Sequence, residues 1–266
     1  MDALVSPDPG PTPVADAARP PAPSRGPWRR LTSGATGHFT PWKFNWLANH
    51  KIIAALERVR VHAHGDLLDV GCGGKPFSPL FAGRLRRYWG SDLSSSRYLG
   101  TERPDAFATA ERQPFRDAAF DTVLGLSMLT YLPEPGRMVA EAYRVLKPGG
   151  VLILEFTQMV PLHDEPWDFF RFTRYGAEHL LRQAGFEPVE YVPVGGLWSR
   201  VGLTTIAALQ RLNRGPTRVL TELPVRLLYL VLQLWFELLD RLFFDPREVL
   251  AHIVVARKPA ASGAVR

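Results

Sequence analysis

The chain has 266 residues, of which 46% are hydrophobic and 22% charged, so it is long and apolar enough to bury the core of one large domain. Its formal net charge is +6, but Arg19, Arg25, Arg29 and Arg30 lie in or beside a proline-rich amino end, so the charge does not predict nucleic-acid binding. The single cysteine, Cys72, excludes an internal disulfide and favours a reducing compartment. The first residues lack the pattern of a signal peptide, and we expect a cytoplasmic protein.

The amino end and the carboxyl end differ in composition from the rest. Residues 1–27 are rich in Pro and Ala with almost no large apolar side chains, which predicts a disordered tail. Residues 28–258 are expected to form one catalytic domain, followed by a flexible tail over 259–266. Spaced apolar residues over 41–60 predict an amphipathic helix before the first strand.

A short apolar strand runs into a glycine turn between Asp66 and Phe77. Gly71, Gly73 and Gly74 permit positive φ values and leave no Cβ between the main chain and a ligand, and open α/β sheets bind small molecules at such a turn. A dinucleotide fingerprint would need glycine where Pro76 stands, which disfavours a nicotinamide or flavin dehydrogenase.

The next strand, predicted over 87–92, ends in Asp92. An acidic residue about 20 positions beyond the glycine turn is where a carboxylate that holds two vicinal ribose hydroxyls belongs. We therefore assign Asp92 to ribose binding.

The remaining pattern alternates strands and helices. We predict strands over 106–108, 120–126, 151–156, 186–194 and 251–257, a short helix over 76–83, and helices over 134–146 and from Thr173 to Ala184.

Two motifs together resemble the class I S-adenosylmethionine-dependent methyltransferases: Leu-Asp-Val-Gly-Cys-Gly at 68–73, and Ser-Asp-Leu at 91–93. The segment 144–150, Arg-Val-Leu-Lys-Pro-Gly-Gly, extends the resemblance. It implies an α/β doubly wound, mostly parallel, seven-stranded Rossmann-like sheet whose last strand inserts antiparallel beside the sixth. It also implies S-adenosyl-L-methionine as the cofactor, and no metal.

The resemblance carries a set of cofactor-binding residues onto this chain. They are Asp69, Gly71, Cys72, Gly73, Asp92, Leu93, Thr109, Ala110, Glu111 and Ser127. Thr109 stands where many relatives have an aspartate that receives the adenine amino group, and Thr130 and Tyr131 replace a Glu-His pair. These departures motivate the alternative that the chain is a non-catalytic, membrane-associated module that retains the fold.

The segment 161–173 resembles a segment of methyltransferases encoded with glycan and surface-polysaccharide pathways. The matching residues are His163, Pro166, Asp168, Arg171 and Thr173. His163 is the candidate base, because imidazole titrates near neutrality, with Asp168 orienting it or binding a sugar hydroxyl. Arg171, Tyr131 and Trp167 are the candidate substrate-binding residues. The alternative is that Asp168 and Arg171 pair only to fix the loop.

An insertion over about 197–246 precedes the last strand, and its residues 227–244 are strongly apolar. Arg226, Gln233, Glu237, Asp240 and Arg241 share one stripe of a helix, and no uncharged run is long enough to span a membrane. An amphipathic surface helix over 217–244 could contact a membrane, cover a lipid-bearing acceptor, form a homodimer, or act as a lid. Together these features predict O-methylation of a sugar, glycolipid or related small molecule by a cytoplasmic or peripheral membrane enzyme.

Overall fold

The computed structural model describes residues 43–100, 102–212 and 218–260. Within them, one seven-stranded sheet has the order β3-β2-β1-β4-β5-β7-β6. The strands are β1 (Gly65–Val70), β2 (Leu85–Asp92), β3 (Ala106–Phe107), β4 (Phe120–Gly125), β5 (Leu146–Thr157), β6 (Glu187–Val194) and β7 (Ala251–Arg257). The helices are α1 (Trp46–Val59), α2 (Pro135–Val145), α3 (Arg174–Gln183), α4 (Leu197–Leu212) and α5 (Arg218–Leu242). The expected tail over 1–27, and residues 261–266 of the tail expected over 259–266, lie outside the described residues.

Every strand pair is parallel except those that β7 makes with β5 and β6. Val70 pairs with both Ser91 and Gly125, so β1, β2 and β4 end together at one edge of the sheet. We call this the carboxyl edge. The antiparallel last strand and the doubly wound sheet confirm the predicted fold class.

Alternating residues of the central strands fill two core layers. Leu68, Val123 and Leu152 pack on the face covered by α2 and α3, where the helices supply Met138, Val139, Ala177 and Leu181. Leu67, Leu124 and Ile153 face the other way and meet Leu56 and Val59 of α1. Near-continuous apolar strands are what a parallel sheet covered on both faces requires.

Some local predictions need correction. The helix expected over 76–83 is only a 3₁₀ turn, Ser78–Phe81, since Pro79 cannot donate a backbone hydrogen bond and Gly83 adopts a φ of +76°. β5 begins at Leu146, five residues earlier than predicted. The cap of α3 is as predicted, because Oγ1 of Thr173 accepts from the backbone N–H of Gly176 at 3.1 Å.

The insertion before β7 contains α4 and α5, which pack against each other. It leaves the sheet after Val194 and returns at Ala251, two residues that are paired neighbours. The backbone N–H groups of Gln158 and Met159, just after β5, donate to the carbonyl of Leu250 at 2.9 and 3.0 Å. The insertion therefore begins and ends at the carboxyl edge. None of the helices in the described ranges is long and apolar enough to cross a bilayer.

Candidate active site

The glycine turn follows β1 directly. The backbone N–H groups of Gly71 and Cys72 both donate to the carbonyl of Ser91, at 2.8 and 3.0 Å, which holds the turn against the end of β2. Gly71 and Gly73 have φ values of +75° and +52°, which side chains of L-residues rarely allow. A Cβ on Gly73 would lie 2.9 Å from the carbonyl oxygen of Tyr98, so the turn and the loop after β2 are in close contact.

Asp92 lies beside this turn. Its Oδ2 accepts from the backbone N–H of Gly73 at 2.6 Å and its Oδ1 accepts from the N–H of Leu93 at 2.7 Å. The carboxylate is only half-buried, and each oxygen retains acceptor capacity, since a carboxylate offers about four lone-pair sites. It is therefore fixed in place and still able to accept two hydroxyl groups.

Asp69 is a buried carboxyl group under the turn. Its Oδ2 accepts from the hydroxyl of Tyr88 at 2.5 Å, and burial raises the pKa of Asp69 to about 7. A cation bound at the turn would favour the charged form. The neighbouring Cys72 is buried, and burial raises its thiol pKa to about 12, so it acts as a small core residue.

The segment 109–111 follows β3, whose Phe107 pairs with Asp92. Thr109 is exposed and its carbonyl accepts from Nε2 of Gln113 at 2.8 Å, while Ala110 is buried and Glu111 half-buried. The structure thus places these predicted cofactor residues next along the carboxyl edge from Asp92.

Ser127 follows β4 with a φ of +55°. Its hydroxyl donates to Oε2 of Glu155 at 2.6 Å, and Glu155 is buried with its carboxyl pKa raised by that burial. Sequence reasoning assigned Ser127 to the cofactor and did not anticipate Glu155. An acidic residue inside the apolar run of β5 was the signal that could have pointed to it.

On the acceptor side, Tyr131 and His163 form a hydrogen-bonded pair. Tyr131 Oη lies 2.7 Å from Nε2 of His163, and Nδ1 of His163 lies 2.9 Å from the carbonyl oxygen of Pro161. A carbonyl only accepts, so Nδ1 carries the proton and Nε2 accepts from the phenol. Burial raises the pKa of Tyr131 to about 12, which keeps the phenol protonated at neutral pH.

Asp168 and Arg171 form a second pair beneath the histidine. Asp168 contacts both terminal nitrogens of Arg171, with Oδ2 to Nη2 at 2.7 Å, and its Oδ2 also accepts from the backbone N–H of His163 at 2.8 Å. Arginine lowers the pKa of Asp168 to about 2, so the carboxylate is charged. Its Oδ2 lies 3.4 Å from Nδ1 of the imidazole, so the carbonyl of Pro161, rather than Asp168, is the nearer partner that orients the ring.

Arg171 has no N–H left for an acceptor. Besides the two contacts with Asp168, it donates to the carbonyls of Val160, Pro161 and Phe170, at 3.2, 3.2 and 2.9 Å. These contacts use all five N–H groups of a guanidinium. The geometry therefore favours the alternative in which the pair fixes the loop, over the prediction that Arg171 binds the substrate.

A further contact, which the sequence did not predict, ties this loop to the turn region. Asp164, with a φ of +58°, accepts from the hydroxyl of Tyr98 at 2.5 Å and contacts Arg97. The loop after β2 contacts Gly73 on one side and, through Arg97 and Tyr98, the segment 161–173 on the other. Trp167 lies nearby in the sequence with 61% of its surface exposed and contacts the ring of Phe169.

The structure thus joins the predicted residues into two groups, the turn with Asp92 and the pair Tyr131–His163 with its supporting ion pair. Among the residues with described placement, no cluster of three or more His, Cys, Asp or Glu side chains could hold a metal ion.

Comparisons with known proteins identify the family to which the chain is similar. Residues 68–154 match the family model described as "Methyltransferase domain". A ubiquinone/menaquinone biosynthesis C-methyltransferase of Neisseria meningitidis is 31% identical over 168 residues, covering 55% of this chain and 69% of the relative. A ubiquinone biosynthesis O-methyltransferase of Psychrobacter arcticus is 29% identical over 178 residues, covering 58% of this chain and 65% of the relative. The chain thus spans about two thirds of the length of these curated relatives.

Among solved structures, phosphoethanolamine N-methyltransferase 2 of Haemonchus contortus, in complex with S-adenosyl-L-methionine, superimposes with a TM-score of 0.50. The match is 16% identical and covers 87% of this chain and 59% of the other. This likeness supports the fold alone.

Proposed function

This chain belongs to the class I S-adenosylmethionine-dependent methyltransferases, and we propose that it methylates an oxygen on a small acceptor molecule with a large apolar part. The hydrogen-bonded pair of Tyr131 and His163 carries this proposal, because it offers an acceptor hydroxyl a route for its proton. S-adenosyl-L-methionine supplies a methyl group already activated on a sulfonium.

The residues at the turn fit that cofactor. The turn around Gly71 and Gly73 lets the main chain approach a ligand, and the fixed carboxylate of Asp92 has free acceptor sites for two ribose hydroxyls. The buried carboxyl of Asp69 lies at the same turn, where a positively charged ligand would stabilise its anion. We assign these residues to holding the cofactor.

The proton path follows from the protonation states. Tyr131 is a phenol at neutral pH and cannot act as a base on its own, but its proton already points at Nε2 of His163. As the acceptor oxygen takes the methyl group, its proton passes to Oη of Tyr131 and the phenolic proton passes to Nε2. The imidazolium that forms then has the carbonyl of Pro161 and the charged Asp168 on its other side.

The side chains around the Tyr131–His163 pair indicate what kind of acceptor binds there. The segment 161–173 carries four large apolar side chains that are exposed: Leu162, Trp167, Phe169 and Phe170. Such a rim favours an acceptor with an apolar body and one reactive oxygen. The relatives' names refer to quinone biosynthesis and lend no support to the sugar part of the sequence prediction, so a lipid-like acceptor is favoured over a free sugar.

A labelling experiment tests this function. Purified protein is incubated with methyl-labelled S-adenosylmethionine and extract of cells that lack it, and the organic and aqueous products are separated. We expect label in the organic phase that the Tyr131→Phe variant fails to produce. Label in the aqueous phase alone would restore the sugar acceptor, and no protein-dependent label in either phase would favour the non-catalytic alternative.

Two other sequence predictions, location at the inner face of the cytoplasmic membrane and formation of a homodimer through 217–244, remain predictions.

A further inference from the structure

Helix α5 turns its polar stripe toward the protein. Oε1 of Gln233 accepts from the backbone N–H of Leu47 in α1 at 3.0 Å. Asp240 accepts from the N–H of Gly196 at 3.1 Å and from the hydroxyl of Ser199 at 2.7 Å. Of the five polar residues of this stripe, Gln233, Glu237 and Asp240 are buried, whereas Arg226 and Arg241 are exposed.

A lysine of α1 completes this buried contact. Nζ of Lys51 lies 2.8 Å from Oε2 of Glu237 and 3.1 Å from Oδ2 of Asp240. A partly buried cation between two buried carboxylates stabilises one orientation of α5, because any other rotation would leave the carboxylates unpaired in the interior. The rotation of the helix about its axis is therefore fixed by polar contacts.

The consequence is an apolar stripe on the outside of α5. Its members are all exposed, and each lies three or four residues from another member: Leu227, Val231, Leu234, Trp235, Leu238 and Leu242. We call this set the outer stripe. A helix on the surface of a water-soluble domain usually has the opposite arrangement, with apolar residues inside. A continuous exposed apolar stripe indicates a partner that is itself apolar.

Among the side chains that the structure describes, the exposed charges beside the outer stripe are positive. Arg211 of α4 and Arg241 of α5 are exposed, whereas Glu237 and Asp240 of α5 are buried. Nε of Arg241 lies 2.7 Å from Oε1 of Glu237, but 67% of the arginine side chain stays accessible. α4 has no acidic residue. Exposed arginines without exposed carboxylates along 197–212 and 223–242 complement a negatively charged surface.

The position of the helix agrees with such a partner. The contacts to α5 come from Leu47 and Lys51 in the first half of α1, and the chain enters β1 after the other end of that helix. The half of α5 that carries Gln233, Glu237 and Asp240 therefore lies toward the carboxyl edge, where the insertion leaves and rejoins the sheet.

We propose that the outer stripe docks on the surface of a bilayer containing anionic lipids, with the apolar side chains entering the interface and the arginines contacting headgroups. A helix with one apolar face and basic residues beside it lies in the plane of the interface rather than across it. Docking would place the carboxyl edge next to lipid. The inference concerns lipid binding and is tested without measuring methyl transfer, so it stands separately from the proposed function.

Vesicle flotation of the full chain tests the inference. We expect the protein to float with vesicles of phosphatidylcholine mixed with phosphatidylglycerol, and more weakly with phosphatidylcholine alone. Val231 is 63% exposed on the outer stripe. Val231→Glu should weaken binding about 10-fold or more, since it puts a charge where docking would bury apolar area. Val61→Glu, at a residue 58% exposed after α1, is the matched control and should bind as the wild type does.

Unchanged melting temperature in both variants shows that they fold. Equal flotation of Val231→Glu and wild type would overturn the inference, as would the absence of flotation with either vesicle. A stable dimer in sedimentation that Val231→Glu dissociates, without vesicle binding by the wild type, would instead assign the outer stripe to a second copy of the chain. Equal binding to neutral and anionic vesicles would overturn the role of the arginines.

Discussion

The phenol of Tyr131 donates to Nε2 of His163 across 2.7 Å, and the carbonyl of Pro161 holds the other imidazole nitrogen in its protonated form. The most basic atom of this site is therefore already engaged by a tyrosine. The histidine can accept a proton from an acceptor only through that tyrosine or after displacing it.

Removing the phenol should lower turnover without affecting cofactor binding. We expect Tyr131→Phe to reduce the turnover rate about 100-fold or more, the usual size of a lost proton-transfer path. Affinity for S-adenosylmethionine, measured by calorimetry, should stay the same. Tyr175→Phe, on an exposed tyrosine of α3, is the matched control. Normal turnover in Tyr131→Phe would remove this residue from the proton path.

Asp92 should decide cofactor affinity. Asp92→Ala loses a charged acceptor for two hydroxyl groups, and hydrogen bonds to charged groups contribute about 1.5–3 kcal/mol, so we expect affinity to fall by about 10-fold to 100-fold or more. Asp117→Asn, at an exposed aspartate paired with Arg144, is the control. Calorimetry of both variants gives the answer, and an Asp92→Ala protein that binds the cofactor like wild type would exclude Asp92 from the site.

Asp69 should make stability depend on pH in the direction opposite to an ordinary paired aspartate. Its pKa is raised from 3.8 to about 7 in the folded state, so folding takes up a proton between these values. The cost of the buried carboxyl is absent below about pH 4, grows as the pH rises toward 7 and is constant above it, reaching on the order of 4 kcal/mol.

Thermal melts of Asp69→Asn against wild type check this expectation. The melting temperature of the variant minus that of wild type should rise by several degrees between pH 5 and pH 8, since about 1 kcal/mol shifts a domain of this size by roughly 2–4 °C. The same variant should bind the cationic cofactor more weakly at pH 8. If this difference in melting temperature does not change with pH, the pKa of Asp69 is not raised in the folded protein.

Arg171 should act on the loop and not on the acceptor. Arg171→Lys removes the two-point contact with Asp168 and most of the contacts to carbonyls, so we expect a loss of roughly 1–3 kcal/mol in stability and a lower turnover rate. Arg182→Lys, in an exposed i,i+4 pair with Glu178, serves as control. If Arg171→Lys melts like wild type and only its KM for the acceptor rises, the arginine binds the acceptor directly.

Most of the sheet could be predicted from the sequence because its signals are local. The apolar run into glycines at Gly71, the acidic end of β2 at Asp92 and the strand Ala251–Arg257 each depend on a few adjacent residues. The fold class followed from their order and from the family resemblance.

The contacts that define the acceptor side could not be predicted in the same way. Tyr131 and His163 are 32 positions apart, and Asp164 meets Arg97 from 67 positions away, so only the folded chain brings them together. The stripe of polar residues on α5 was visible in the sequence, but it gave no sign that Lys51 and Ser199 would bury it and leave the apolar side outside.

Val194 and Ala251 are neighbours in the sheet, so the segment with α4 and α5 between them is a replaceable insertion. Its two ends lie side by side on antiparallel neighbours, so a shorter or different segment can replace 195–250 without moving any strand that carries the glycine turn or Asp92. Grafting this segment onto a relative, together with a lysine at the position of Lys51 to pair with Glu237 and Asp240, should transfer the surface of α5 while the recipient keeps its own cofactor site.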